Sequence, residues 1–291
     1  MRLLHLIPLG CLVLVSCGKG SANSQVKVVN GMQVGPTSIP PSVVAMVMTL
    51  QGANGSCSAT HIGNGILITA EHCTNTLLSG PRSFVVAVDS RNQLVTKMEF
   101  ENCQILRPEA TAVQHTFDGQ GHPVDVHLPD IVALNCSASI KSAIAHYPKA
   151  AVSSADIDIA SHQMLLIAGS GQTDYNPNSV PVGPAATGFP NPISIGQVYL
   201  SSSDDLRYVS LWNDGQAGGG ASWGDSGGPL LRATSNLESG GGFELLGVMA
   251  DIKILERDDQ GRATKVQTTY MKTSAAPVRH WLESAIAPLI Q

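Results

Sequence analysis

The stretch "ASWGDSGGPLL", residues Ala221 to Leu231, sets three glycines and a proline around Ser226. A serine in such a turn has an ordinary reading, because glycine tolerates backbone angles that other residues avoid and a hydroxyl bonds readily to nearby main chain. The same composition also suits a turn that holds a nucleophilic hydroxyl beside backbone N–H groups. The choice rests on whether the rest of the chain supplies partners for Ser226.

Two further segments supply them. In "ILITAEHC", residues Ile66 to Cys73, an apolar strand-like run ends at His72 beside a cysteine able to fix the turn. A lone histidine is usually a surface or hydrogen-bonding residue, yet a near-neutral imidazole held in place is also what general-base chemistry needs. In "LPDIVALNC", residues Leu128 to Cys136, Asp130 stands at the threshold of an apolar run, where a buried carboxylate requires a partner. Alone it reads as a strand cap or turn former; together with His72 and Ser226 it supplies the group that orients an imidazole. Asp125, Asp156 and Asp158 remain competing carboxylates, the last two in "ADIDIAS".

Composition narrows the class. The 291 residues suffice for one or two domains with a sizeable core. Seventeen Lys and Arg against 22 Asp and Glu give a net charge of −5, with the basic residues scattered, which argues against nucleic acid as a partner. Few charges, 29 glycines and 17 prolines favour a β-rich chain with many turns. Strand-type runs recur from "VVAMVMTL" through "GILITA", "SFVVAVD", "LVTKMEF", "DIVALN", "MLLIAGSG", "IGQVYL", "LRYVSLW", "GPLLRA" and "FELLGVMADI" to "VQTTYM". They suit two antiparallel barrels or sandwiches joined near residues 146–156. One helix is expected in "APVRHWLESAIAPLI", where Val278, Trp281, Leu282 and Ala285 or Ile286 recur at helical spacing behind Pro277.

The amino-terminal 16 residues place one arginine before a short apolar segment and read as an export signal. Residues 18–27 are small and polar, as a tether would be. Of six cysteines, Cys11 would leave with the signal and Cys17 stands at its end, so Cys57, Cys73, Cys103 and Cys136 remain for two disulfides, with three pairings open. The nine histidines form no close Cys/His cluster, and no calcium-loop pattern occurs, so neither metal nor cofactor is expected.

With these residues in view, the chain resembles the trypsin-like (chymotrypsin-fold) serine endopeptidases. "TAEHC" is similar to that family's histidine motif, "GDSGGP" matches its serine motif, and "VVNG", "DIVAL", "AGSGQT" and "TYMK" resemble further segments in the family's order. The resemblance implies two antiparallel six-stranded β-barrels, over residues 28–150 and 151–291, with a terminal helix. It implies Ser226 as nucleophile, His72 as base and then acid, Asp130 as orienting carboxylate, and the N–H groups of Gly224 and Ser226 as oxyanion donors. It pairs Cys57 with Cys73, and with that Cys103 with Cys136. It also implies cleavage after Lys27, freeing a Val28 amine to pair with Asp225; the alternative is an uncut chain.

The specificity pocket departs from the family. Gly220 occupies the position that carries an aspartate in trypsins, and Ala250, Asp251 and Ile252 replace the usual Ser-Trp-Gly wall. Ile252 would shorten the pocket and favour a small side chain, whereas Asp251 would restore a negative charge. "LVSC" before Gly18 resembles a bacterial lipobox, which makes Cys17 a lipid anchor; a simple secretory signal is the alternative. The expected protein is thus exported from a bacterial cell and either tethered to a membrane through Cys17 or released by the activating protease, acting on protein or peptide substrates. A catalytically quiet binding protein on the same scaffold is the competing function.

Overall fold

The computed structural model describes residues 42–52, 55–78, 83–89, 93–99, 103–109, 112–117, 123–136, 138–171, 193–213, 220–234 and 242–290. The export signal, Cys11, Cys17, the tether, Lys27 and Val28 lie outside the described residues, as does the end of "AGSGQT".

The first sheet is built from β1 (Val47–Gly52), β2 (Gly55–Gly63), β3 (Ile66–Thr69), β4 (Phe84–Val88), β5 (Leu94–Glu99), β6 (Gln104–Leu106) and β9 (Val132–Asn135), in the spatial order β5-β4-β1-β2-β3-β9-β6. Strands β7 (Ala112–Phe117) and β8 (Pro123–Leu128) form a separate hairpin. The second sheet contains β10 (Ala151–Val152), β11 (Leu165–Gly169), β12 (Ser194–Val198), β13 (Leu200–Ser203), β14 (Arg207–Asn213), β15 (Pro229–Ala233), β16 (Phe243–Arg257) and β17 (Ala263–Lys272). Its order is β12-β11-β15-β16-β17-β14-β13, with β10 added in parallel to β16. The expected pair of six-stranded barrels is therefore met as two sheets of seven and eight strands, antiparallel except at β10, whose ladders run from one edge to the other.

Sequence pattern explains most of these strands. "ILIT" of β3 is apolar at three of four positions because it lies between β2 and β9 and is buried throughout. The opening of "VVAMVMTL" departs from expectation, since Ser42–Ala45 forms a helical turn, α1, before β1 begins. Strand β2, "GSCSATHIG", was not expected: its buried positions include Ser58 and Thr60, whose small polar side chains give no apolar alternation. His72 sits in the first turn of helix α2 (Glu71–Leu78), and a further short helix, α3 (Ala138–Ile144), follows β9.

The terminal helix forms as expected, as α4 (Ala276–Trp281), a π-helical turn Leu282–Ile286 and α5 (Ala287–Ile290). Val278, Trp281, Leu282 and Ile286 make its buried face. They join a hydrophobic cluster that also holds Leu67, Leu134, Leu166 and Leu231, so one continuous core touches both sheets. A second cluster, with Leu230, Met249, Tyr208 and Tyr270, fills the inside of the second sheet.

Candidate active site

The first sheet and its helix bring His72 and Asp130 together. Asp130 follows the cis Leu128–Pro129 bond and is 3% exposed. Its Oδ1 accepts the His72 backbone N–H at 3.0 Å, and its Oδ2 pairs with His72 Nδ1 at 2.7 Å. One carboxylate therefore fixes both the helix start and the ring, and an Nδ1 proton donated to Asp130 leaves the Nε2 lone pair free to act as a base. Burial pulls the ring toward its neutral form, but the charge and hydrogen bond of Asp130, aided by the charges of Asp251 and Glu71, hold the pKa of His72 above its ordinary value.

The competing carboxylates have other positions. Asp125 lies in β8 opposite His115. Asp156 accepts from Tyr208 Oη at 2.8 Å and Ser274 Oγ at 2.5 Å and pairs with the buried Lys272. Asp158 caps the 3-10 turn Ile159–Ser161 through the Ala160 N–H.

Ser226 arrives from the second sheet, on the turn that leads into β15. Gly224 and Gly227 on either side take positive φ, +96° and +80°. At Gly227 the reason is also spatial: a Cβ there would lie 2.1 Å from Thr69 Oγ1 and 2.2 Å from the Ser58 carbonyl oxygen. The turn is pressed against β2 by the Ser58 N–H, which donates to the Ser226 carbonyl at 2.7 Å. Ser58 Oγ donates to the Gly224 carbonyl at 3.1 Å and accepts from the Ser170 N–H at 3.0 Å. On the far side Gly227 N–H donates to Met249 O and Met249 N–H to Gly228 O. Sequence reasoning missed Ser58; its place beside Cys57, the bridge partner of His72's neighbour, was the one available signal.

Among the described residues the Gly224 and Ser226 N–H groups have no acceptor. The Ser226 hydroxyl likewise has no hydrogen-bond partner among them. His72 Nε2 instead lies 3.7 Å from the Cys73 sulfur, which is itself 3.6 Å from the Ser226 carbonyl oxygen. Both are packing contacts, because Cys73 is bridged to Cys57 and carries no proton. The second bridge joins Cys103 to Cys136, so both pairings follow the resemblance. Cys57, His72 and Cys73 cluster within 4.8 Å, but the disulfide removes the thiolates that a metal would take.

Asp225 is 3% exposed. Its two oxygens accept from the Gly171 N–H at 2.7 Å and the Ser222 N–H at 2.8 Å. Gly171 must lack a side chain for this, since a Cβ would sit 2.5 Å from the carboxyl carbon.

The pocket residues divide. A small cavity behind the Ser226 turn is lined by Ile167, Ala221, Met249 and Tyr270 among others, and Gly220 is buried next to Ala221. Ala250 is half-buried, Ile252 packs on the second sheet's core and on the Trp212–Val266 cluster, and Asp251 is exposed. Ala250, Asp251 and Ile252 thus stand outside the cavity, on the stretch of β16 that passes the Ser226 turn.

Two antiparallel sheets, with a histidine–carboxylate pair on one and a GDSGGP turn on the other, define the chymotrypsin-like class of serine proteases. The family model described as Trypsin matches residues 28–272, and the chain belongs to that family of trypsin-like serine endopeptidases. Among solved structures it is similar to neuropsin, a serine protease expressed in the limbic system of mouse brain. The TM-score is 0.52 at 16% identity, over 85% of this chain and 96% of neuropsin. No curated protein sequence matches.

Proposed function

We propose that the protein cleaves peptide bonds through an acyl-enzyme formed on Ser226. Ser226 Oγ attacks the carbonyl carbon while its proton passes to His72 Nε2, and the N–H groups of Gly224 and Ser226 receive the negative oxygen. His72 then protonates the departing amine, and water, deprotonated by His72, releases the acyl group. The observation that carries this reading is the double grip of Asp130 on His72, which holds the ring in the tautomer a base requires. Catalytic hydrogen bonds often tighten only when substrate binds, which accommodates a Ser226 hydroxyl without a partner.

That same unpartnered hydroxyl favours a second state, an uncut precursor. Cleavage after Lys27 would free the Val28 amine to approach Asp225, whose carboxylate now rests on the Gly171 and Ser222 amides. The Cys17 lipobox supports a lipid-tethered, exported precursor that the same cut would release. A fluorophosphonate probe on the processed protein tests the catalytic reading. Wild type should be labelled and Ser226→Ala should not; equal labelling removes Ser226 as nucleophile, and an unlabelled wild type leaves a quiet scaffold.

A further inference from the structure

Four carboxylates surround the His72–Ser226 region, and three of them are committed. Asp130 holds His72, Glu71 is buried and bonded to Arg107 Nε at 3.0 Å, and Asp225 is held by the Gly171 and Ser222 amides. Asp251 is the exception. It is exposed, and the only hydrogen bond to its carboxylate among the described residues comes from the N–H of the next residue, Ile252, at 2.8 Å. No cation neutralises it there.

Its place on β16 puts this free charge where a peptide would lie. The β15–β16 ladder ends at Pro229 and Val248, and Met249 makes the last two bonds, to Gly227 and Gly228. Beyond Met249, the edge of β16 on the Ser226 side has no partner strand among the described residues, while the other edge is filled by β17 through Asp251↔Thr269 and Ile252↔Thr268. An extended peptide entering the site can add to that open edge, a common mode of peptide capture. The cavity at the turn, by contrast, is walled by the apolar side chains of Ile167, Ala221 and Met249, and the one carboxylate lining it, Asp225, is already occupied.

We propose that Asp251 selects substrates carrying Lys or Arg at a position flanking the scissile bond. This rests on the catalytic reading above and deepens it by naming the substrate class: peptides with a cation on the flank of the bond.

The test uses the processed full chain and peptide pairs that differ only as Lys or norleucine at each of the positions flanking the bond. Wild type should favour Lys by about two- to fivefold in kcat/KM at one or two positions, less at high salt, as an exposed charge pair would. Asp251→Asn should erase that preference. Asp251→Lys should turn the preference toward Glu over Gln at the same position. An identical Lys preference in wild type and Asp251→Asn overturns the proposal, as does a wild type with no charge preference at all. Fluorophosphonate labelling of the wild type separates the two failures: a labelled enzyme indifferent to Asp251 sinks only this inference, and an unlabelled one sinks the catalytic reading beneath it.

Discussion

Replacing Gly227 with alanine tests whether the Ser226 turn is braced by the first sheet. The new Cβ would sit 2.1 Å from Thr69 Oγ1 and 2.2 Å from the Ser58 carbonyl, on a residue whose φ is +80°. The left-handed conformation alone costs a side chain about 1–2 kcal/mol. The clash cannot be relieved by a rotamer change, because Ser58 O is main chain in a buried strand and is already the acceptor of Thr69 Oγ1 at 2.7 Å. The turn must back away, breaking the 2.7 Å bond from Ser58 N–H to Ser226 O and leaving a buried donor unmade, at about 1–3 kcal/mol. The expected loss is about 2–5 kcal/mol, a large share of a typical stability of about 5–15 kcal/mol. Guanidinium unfolding at constant m-value measures it, and the rate of fluorophosphonate labelling at Ser226 should fall in parallel. Gly242→Ala is the control: its Cβ would meet nothing nearer than Thr234 Oγ1 at 3.4 Å, so the change should stay within about 0.5 kcal/mol. A Gly227→Ala protein that loses less than about 1 kcal/mol, with labelling intact, would refute the bracing argument.

Two other predictions follow from the histidines. Asp130→Asn presents an amide to His72 Nδ1 and favours the tautomer with its proton on Nε2; kcat should fall by about 10⁴-fold while the fold survives, and a fall below tenfold would separate Asp130 from the chemistry. His61 is buried, with Nδ1 against the Pro148 carbonyl at 3.0 Å and Nε2 accepting the Gly65 N–H at 3.2 Å, an arrangement that only the neutral ring completes. Burial, with Lys149 nearby and the Pro148 carbonyl opposing, holds its pKa below the ordinary value. Its contribution is therefore whole above about pH 6.5, where the unfolded ring is neutral too, and is lost as pH falls toward the folded value. His61→Gln should flatten the fall in stability on acidification through that window; equal slopes in denaturation series at successive pH values would contradict this.

Much of the site was legible because its chemistry is concentrated in short runs. "TAEHC", "LPDIVAL" and "GDSGGP" carry the His72, Asp130 and Ser226 positions, and the terminal helix showed in the spacing of Val278, Trp281, Leu282 and Ile286. What escaped reading was held by polar groups satisfied at long range. Strand β2 buries Ser58 and Thr60 and so lacks apolar alternation, and α2 begins at Glu71, which is buried and tied to Arg107, 36 positions away in the chain. β16 runs on to Arg257 through alternating charges, because β17 pairs with it far past the core. Asp251 was visible as an odd residue in the pocket wall; its exposure, and a carboxylate bonded only by the neighbouring Ile252 N–H where Asp225 is held by two distant amides, distinguish it from Asp225.

Ser58 binds the Ser226 turn from a strand of the other sheet, and its bonds to Ser226, Gly224 and Ser170 all cross between the two halves of the chain. On the proposed mechanism, the half that bears the nucleophile has neither its base nor its brace until the first sheet is complete. A chain folded only at one end is therefore harmless to its neighbours, and a protein cut between β9 and β11 should regain activity only when both fragments are mixed. Competence to hydrolyse becomes a report that the whole molecule has assembled.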